Sequence, residues 1–131
     1  MATQDQVTTN TLNLNSIMIG TSQVKALAEF YQRVFGRPAD MADGPYFGWQ
    51  AGSGFLMIGE HSDIHGQSKE PARIMLNFET RDVQKEFERL KQAGVTVIKE
   101  PYSMGGDDGW IATLADPDGN YIQLISPMEV S

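Results

Sequence analysis

The chain carries the same order of elements twice, and this repeat restricts its fold more than any single segment does. In the first half, Ile17 and Ile19 lie on one side of a strand over 14–20, with Ser16, Met18 and Gly20 on the other. Ser22 is placed to cap a helix whose Val24, Leu27, Ala28, Tyr31 and Val34 recur at helical spacing, and Gly36 ends it. A link containing Pro38 leads to two short strands, 46–51 and 55–59, joined at Gly52-Ser53-Gly54. A polar loop over 61–71 follows.

The second half begins with a strand over 73–79 that places Ile74, Leu76 and Phe78 on one face. Asp82 caps a helix carrying Val83, Phe87 and Leu90, closed by Gly94. A strand over 95–99 and a loop over 101–109 precede a hairpin, Trp110 to Ile125. Its turn is Asp116-Pro117-Asp118-Gly119-Asn120, with Asp, Pro and Gly at the first, second and fourth positions that a type I turn favours. Val24 aligns with Val83, Gly36 with Gly94, and Leu56/Ile58 with Ile122/Leu124. The repeat predicts an α+β fold of two βαβββ modules, about 14–60 and 72–127, with a helix on one face of each sheet. Together these form one domain over 13–131, preceded by a flexible polar tail over 1–12.

Composition narrows the function classes. The 131 residues suit one domain with a modest core, and the lack of cysteine excludes disulfides, a thiol nucleophile and thiolate metal sites. A net charge of -7 argues against nucleic-acid binding and leaves a cationic ligand open. No apolar run is long enough for a bilayer and no leader pattern is present, so a cytoplasmic protein without membrane contact is expected.

The strand faces turned from the helices carry Ser16 and Met18, then Arg73, Met75, Asn77 and Glu79, then Tyr121 and Gln123. This mixed polarity suits a ligand-lined concavity better than a second dry core. Phe47, Trp49, Tyr102, Trp110 and Tyr121 are either stacking platforms for a flat ligand or ordinary core. Arg73 and Glu79 would hold a polar ligand or pair with each other.

Across 14–128 the chain resembles the vicinal oxygen chelate superfamily, the glyoxalase, bleomycin-resistance and extradiol-dioxygenase group. The resemblance rests on Phe30-Tyr31, on Asn77-Phe78-Glu79 leading to Asp82-Val83, on Leu90 with Gly94, and above all on the Asp116–Asn120 turn within the repeat. It implies modules curled into a cup-shaped mixed sheet and a homodimer whose subunits pair or exchange modules to complete the sites. Metal-dependent members place four ligands in the cup, usually His and Glu. At the matching positions this chain has Ser16, Met57, Met75 and Gln123. Thioethers, a hydroxyl and a carboxamide suit neither hard nor borderline divalent ions, so no metal and no cofactor is expected.

The other motifs are weaker. His61 and His65 flank Asp63 without a further donor, which fits a solvated loop better than a metal site. Gly105-Gly106-Asp107-Asp108-Gly109 is acidic and precedes no helix, so it reads as a rim loop and not a phosphate cradle. No Ser-His-Asp arrangement is evident. The reading that follows is a metal-free small-molecule binding protein holding a cationic or planar organic ligand. Its expected ligand-binding residues are Ser16, Met18, Met57, Arg73, Met75, Asn77, Trp110, Tyr121 and Gln123. The alternative is a metal-dependent lyase, isomerase or dioxygenase with non-standard ligands such as His61 or Glu79; a third is a degenerate module serving only as a protein partner.

Overall fold

The computed structural model describes residues 12–103 and 109–127. The expected tail, apart from Leu12, and most of the glycine-rich loop lie outside them. The first module runs β1 (Ser16–Thr21), α1 (Val24–Phe35), β2 (Met41–Asp43), β3 (Tyr46–Ala51) and β4 (Gly54–Glu60). The second runs β5 (Leu76–Glu79), α2 (Val83–Gln92), β6 (Thr96–Ser103), β7 (Trp110–Ala115) and β8 (Tyr121–Ile125). Each module folds one four-stranded mixed sheet, ordered β1-β4-β3-β2 and β5-β8-β7-β6. The first and last strands of each module pair in parallel, and the remaining pairs are antiparallel. The expected βαβββ order is therefore present in both modules.

The helices form because their apolar residues fall on one stripe. Leu27, Phe30 and Tyr31 of α1, and Val83, Phe87 and Leu90 of α2, are buried against the sheets. They share one core with Trp49, Leu56, Ile58, Leu114, Ile122 and Leu124 from both modules. Burying each such side chain contributes roughly 1.5–3 kcal/mol. Two polar links also join the modules. Arg89 of α2 donates to the last-turn carbonyls of α1, Arg33 O at 2.6 Å and Val34 O at 2.9 Å. Tyr31 Oη donates to Asp116 Oδ2 at 2.9 Å.

Several local expectations are corrected. Ser22 does not cap α1: Gln23 stands at the N-cap without a side-chain capping bond, and its backbone N–H goes to the buried Thr21 Oγ1 at 3.0 Å. The link after Pro38 contains β2, where Asp40 N reaches Gly48 O at 2.8 Å and draws the chain onto β3. β6 continues to Ser103 through Pro101. It is an edge strand, where a missing N–H is tolerated, and its register shifts between Lys99 and Tyr102. At the other end, β5 starts only at Leu76, so Arg73, Ile74 and Met75 precede the strand, and Ile74, expected in the core, is 76% exposed. Arg73 pairs with Glu70, not Glu79. Asp82 caps α2 as expected, accepting from Lys85 N at 3.1 Å.

Candidate functional site

Strand register shows which residues share the faces turned away from the core. In the first sheet, Ser16, Met18 and Gly20 stand beside Phe55, Met57 and Gly59. Gly59 and Met57 are in turn opposite Tyr46 and Gly48. Two of these glycines act as beds for aromatic rings. A Cβ on Gly48 would fall into the Phe55 ring, and one on Gly59 would meet Tyr46 Cδ1 at 2.5 Å and Met18 Cε at 2.7 Å. The face is thus an apolar plate of two thioethers and two rings, with Ser16 at its edge. Phe55 and Tyr46 were absent from the sequence expectation. Their signal was partly available: each lies on the polar-side phase of its strand, Tyr46 across from Gly59 and Phe55 diagonal to Gly48, over which its ring lies.

The second sheet presents a polar row. Asn77 on β5 is in register with Gln123 on β8, which is in register with Thr113 on β7. Gln123 Nε2 donates to Thr113 Oγ1 at 3.2 Å, which fixes the carboxamide. Tyr121 and Ile125 share this face by alternation. Trp110 opens β7, 37% exposed, with its N–H on Ser126 Oγ at 2.9 Å. Of the aromatic residues left open as platform or core, Trp49 is core, 1% exposed, with Nε1 on Arg37 O at 3.0 Å. Phe47 packs against that core, whereas Tyr102 and Trp110 are exposed and Tyr121 is half-buried.

Two cavities separate the expected residues. A groove of about 870 Å³ between the modules has Ser16, Met75 and Asn77 in its walls, together with Phe55 and Gln50. A second, of about 750 Å³, has Met18 and Tyr121. Met57, Arg73, Trp110 and Gln123 line neither. Arg73 is turned to solvent on its Glu70 partner.

The donor set at Ser16, Met57, Met75 and Gln123 does not fit a divalent ion. It offers no carboxylate and no imidazole, and the Gln123 carboxamide is already bonded to Thr113. Their register neighbours Met18 and Asn77 add only another thioether and another carboxamide. His61 Nδ1 accepts from Asp63 N at 3.1 Å, which ties that imidazole into its own loop.

A family model described as "Glyoxalase/Bleomycin resistance protein/Dioxygenase superfamily" matches residues 13–124. Among solved structures, a glyoxalase-related enzyme from Fulvimarina pelagi superposes with a TM-score of 0.72 at 20% identity, over 88% of either chain. A glyoxalase/bleomycin resistance protein/dioxygenase family enzyme from Burkholderia phytofirmans PsJN gives 0.70 at 24% identity, over 89% of this chain and all of the other. At such identities the likeness speaks for the fold. Uncharacterized protein YurT of Bacillus subtilis (strain 168) is 46% identical over 48 residues, 37% of this chain and 36% of that protein.

Proposed function

This chain belongs to the glyoxalase/bleomycin resistance protein/dioxygenase superfamily, and from that premise we propose that it is a metal-free small-molecule binding protein. The observation that carries the reading is the chemistry of the outer sheet faces. One is an apolar plate of Met18, Met57, Phe55 and Tyr46; the other is a row of neutral hydrogen-bonding groups, Asn77, Gln123 and Thr113. Thioethers adapt to irregular apolar shapes, rings stack on flat ones, and a fixed carboxamide both donates and accepts. These are tools for holding an organic molecule, not for polarising one. The rings suit a planar ligand, and the net charge of -7 leaves a cationic one open.

The test combines elemental analysis with a thermal-shift screen of planar and cationic compounds. Purified protein should hold well under one equivalent of divalent metal, and a hit from the screen should bind roughly tenfold more weakly to Gln123→Ala. Met75→Trp, which crowds the groove that Ser16 and Asn77 share, should weaken the same hit without loss of fold. One equivalent of Ni, Zn or Fe, lost on Gln123→Ala, would overturn the reading.

A further inference from the structure

The segment between the modules covers a space that the sheet faces do not use. The 750 Å³ cavity lies between β1 and the starts of β5 and β8, with residues 63–69 as one wall. Ile17, Ile19, Ile64, Ile74 and Leu76 supply apolar lining. Met18 and Tyr121 mark where it borders the sheet faces. At its polar end stands Asp118, only 5% exposed.

Asp118 is unusual in its bonding. Its Oδ1 accepts from Gln23 Nε2 at 2.7 Å, whereas its Oδ2 is buried and has no hydrogen-bond partner among the described residues. Leaving a buried carboxylate oxygen without a donor is unfavourable. Asp116, in the same turn, is also buried and bonded only by Tyr31, Asn120 and backbone N–H groups. Neither carboxylate belongs to an ion pair among the described residues. Two buried carboxylates held by neutral donors set up a negative field in a poorly screened place, and that field favours a cation. Asp63, His65 and Lys69, all on the 63–69 segment, are also in the lining.

We infer that this cavity, which adjoins the sheet-face site proposed above at Met18 and Tyr121, binds a small primary ammonium compound with an apolar body. The ammonium donates to Asp118 Oδ2, and the body lies along Ile17, Ile74 and Leu76. Oδ2 is closed to solvent, so residues 63–69, which rest on the turn, must shift when the ammonium enters. That segment is held to the turn by Gln67 Nε2 on Pro117 O at 2.9 Å and by Ser68 N on Asp118 O at 2.8 Å.

Titration calorimetry of the whole chain with n-hexylammonium, 1-hexanol and hexanoate tests this. Hexylammonium should bind at least about tenfold tighter than hexanol, and hexanoate weakest, as expected for one charge-assisted bond. Asp118→Asn, which keeps the shape and removes the charge, should abolish the preference. Ile74→Trp should occlude the cavity from a residue that is 76% exposed, so folding survives while hexylammonium affinity falls about tenfold or more. Amide chemical shifts should move at 63–69 and 118–121. Equal binding of hexanol and hexylammonium, a preference that survives Asp118→Asn, or shifts confined to β3 and β4 would each overturn the inference. Should Asp118→Asn not fold, unchanged hexylammonium binding by Ile74→Trp would overturn it alone.

Discussion

Asp116 has all its acceptor capacity taken up. Oδ1 receives Asp118 N and Asn120 N, and Oδ2 receives Asn120 Nδ2 and Tyr31 Oη, all at 2.9 Å. Burial pushes its pKa up, with those hydrogen bonds opposing the rise. Burial, then the Asp116 charge, pushes the Tyr31 phenol well above its ordinary range. The sign for Tyr31 follows from linkage. The folded state keeps its phenolic proton at a pH where the unfolded chain, with an ordinary pKa of about 10, has released it. Its contribution is therefore complete below pH 10 or so and is lost as pH rises from there toward the folded value. The loss is about 1.4 kcal/mol per pH unit. Tyr31→Phe should abolish most of that alkaline decline. At neutral pH it should reduce stability by roughly 1–3 kcal/mol, because it strips a donor from a buried carboxylate. Urea titrations from pH 7 to 11 measure both effects, and parallel pH profiles for the two proteins would contradict the first. The turn itself was legible in the sequence, since Asp, Pro and Gly at those spacings have few other uses; Gly119 does take the φ of +82° that suits glycine. Its partner Tyr31, 85 positions away, was not legible, because periodicity assigns a tyrosine to a face but not to a hydrogen bond.

At the level of elements, what was legible is what depends on local spacing. Both helices, the β3–β4 hairpin and the alternation of β8 follow from residues a few positions apart. The misses depend on partners. β2 has only three residues and no alternation to read, and it exists because β3 offers an edge and Asp40 Oδ2 accepts Gln50 N at 2.7 Å. The stretch 73–75 alternates as a strand should, yet the β5–β8 ladder begins only at Leu76↔Ile122. Pro101 reads as a strand breaker, but at a sheet edge its missing N–H faces no ladder. The four ligand positions were placed on the correct strands for Ser16, Met57 and Gln123, whereas Met75 falls just ahead of its strand. One inter-element contact had no sequence signal at all, the Arg89 fork on the open carbonyls of α1. Glu86 Oε1 accepts from Arg89 Nε at 2.9 Å and Nη2 at 2.7 Å, which aims the guanidinium. Arg89→Ala should lower the unfolding free energy by about 1–2 kcal/mol, moderated by the side chain's partial exposure. Arg89→Lys should recover little, because one ammonium cannot reproduce the forked donation to two successive carbonyls. Denaturant midpoints of the three proteins decide this, and full rescue by lysine would refute the fork.

For the whole molecule, we predict a partner of the same kind from the arrangement of edges and faces. β1 and β5 are each paired on one side only. On β1 and just ahead of β5 the chain leaves Ile17 40%, Met18 49% and Met75 36% exposed, and Tyr46, two strands in from β1, is 39% exposed. A lone exposed Met needs no explanation, but a plate of apolar side chains along an unpaired strand edge does. The two halves of the proposed site also stay apart, since Met57 belongs to one sheet, Gln123 to the other, and the two cavities described include neither. Two-fold pairing of identical chains both covers such a plate and doubles each half-site, and a stable pair needs about 800 Å² from each partner. The expected result is a homodimer by light scattering at micromolar concentration. Met18→Glu, set in the middle of the plate and solvent-exposed within one chain, should yield a monomer with an unchanged far-ultraviolet circular dichroism spectrum. The same variant should lose the thermal shift given by any planar hit, because ligand binding and assembly share that surface. A wild-type monomer at that concentration would refute the dimer. If Met18→Glu stayed dimeric yet stopped binding, the plate would be a ligand surface alone, and assembly would have to use other edges.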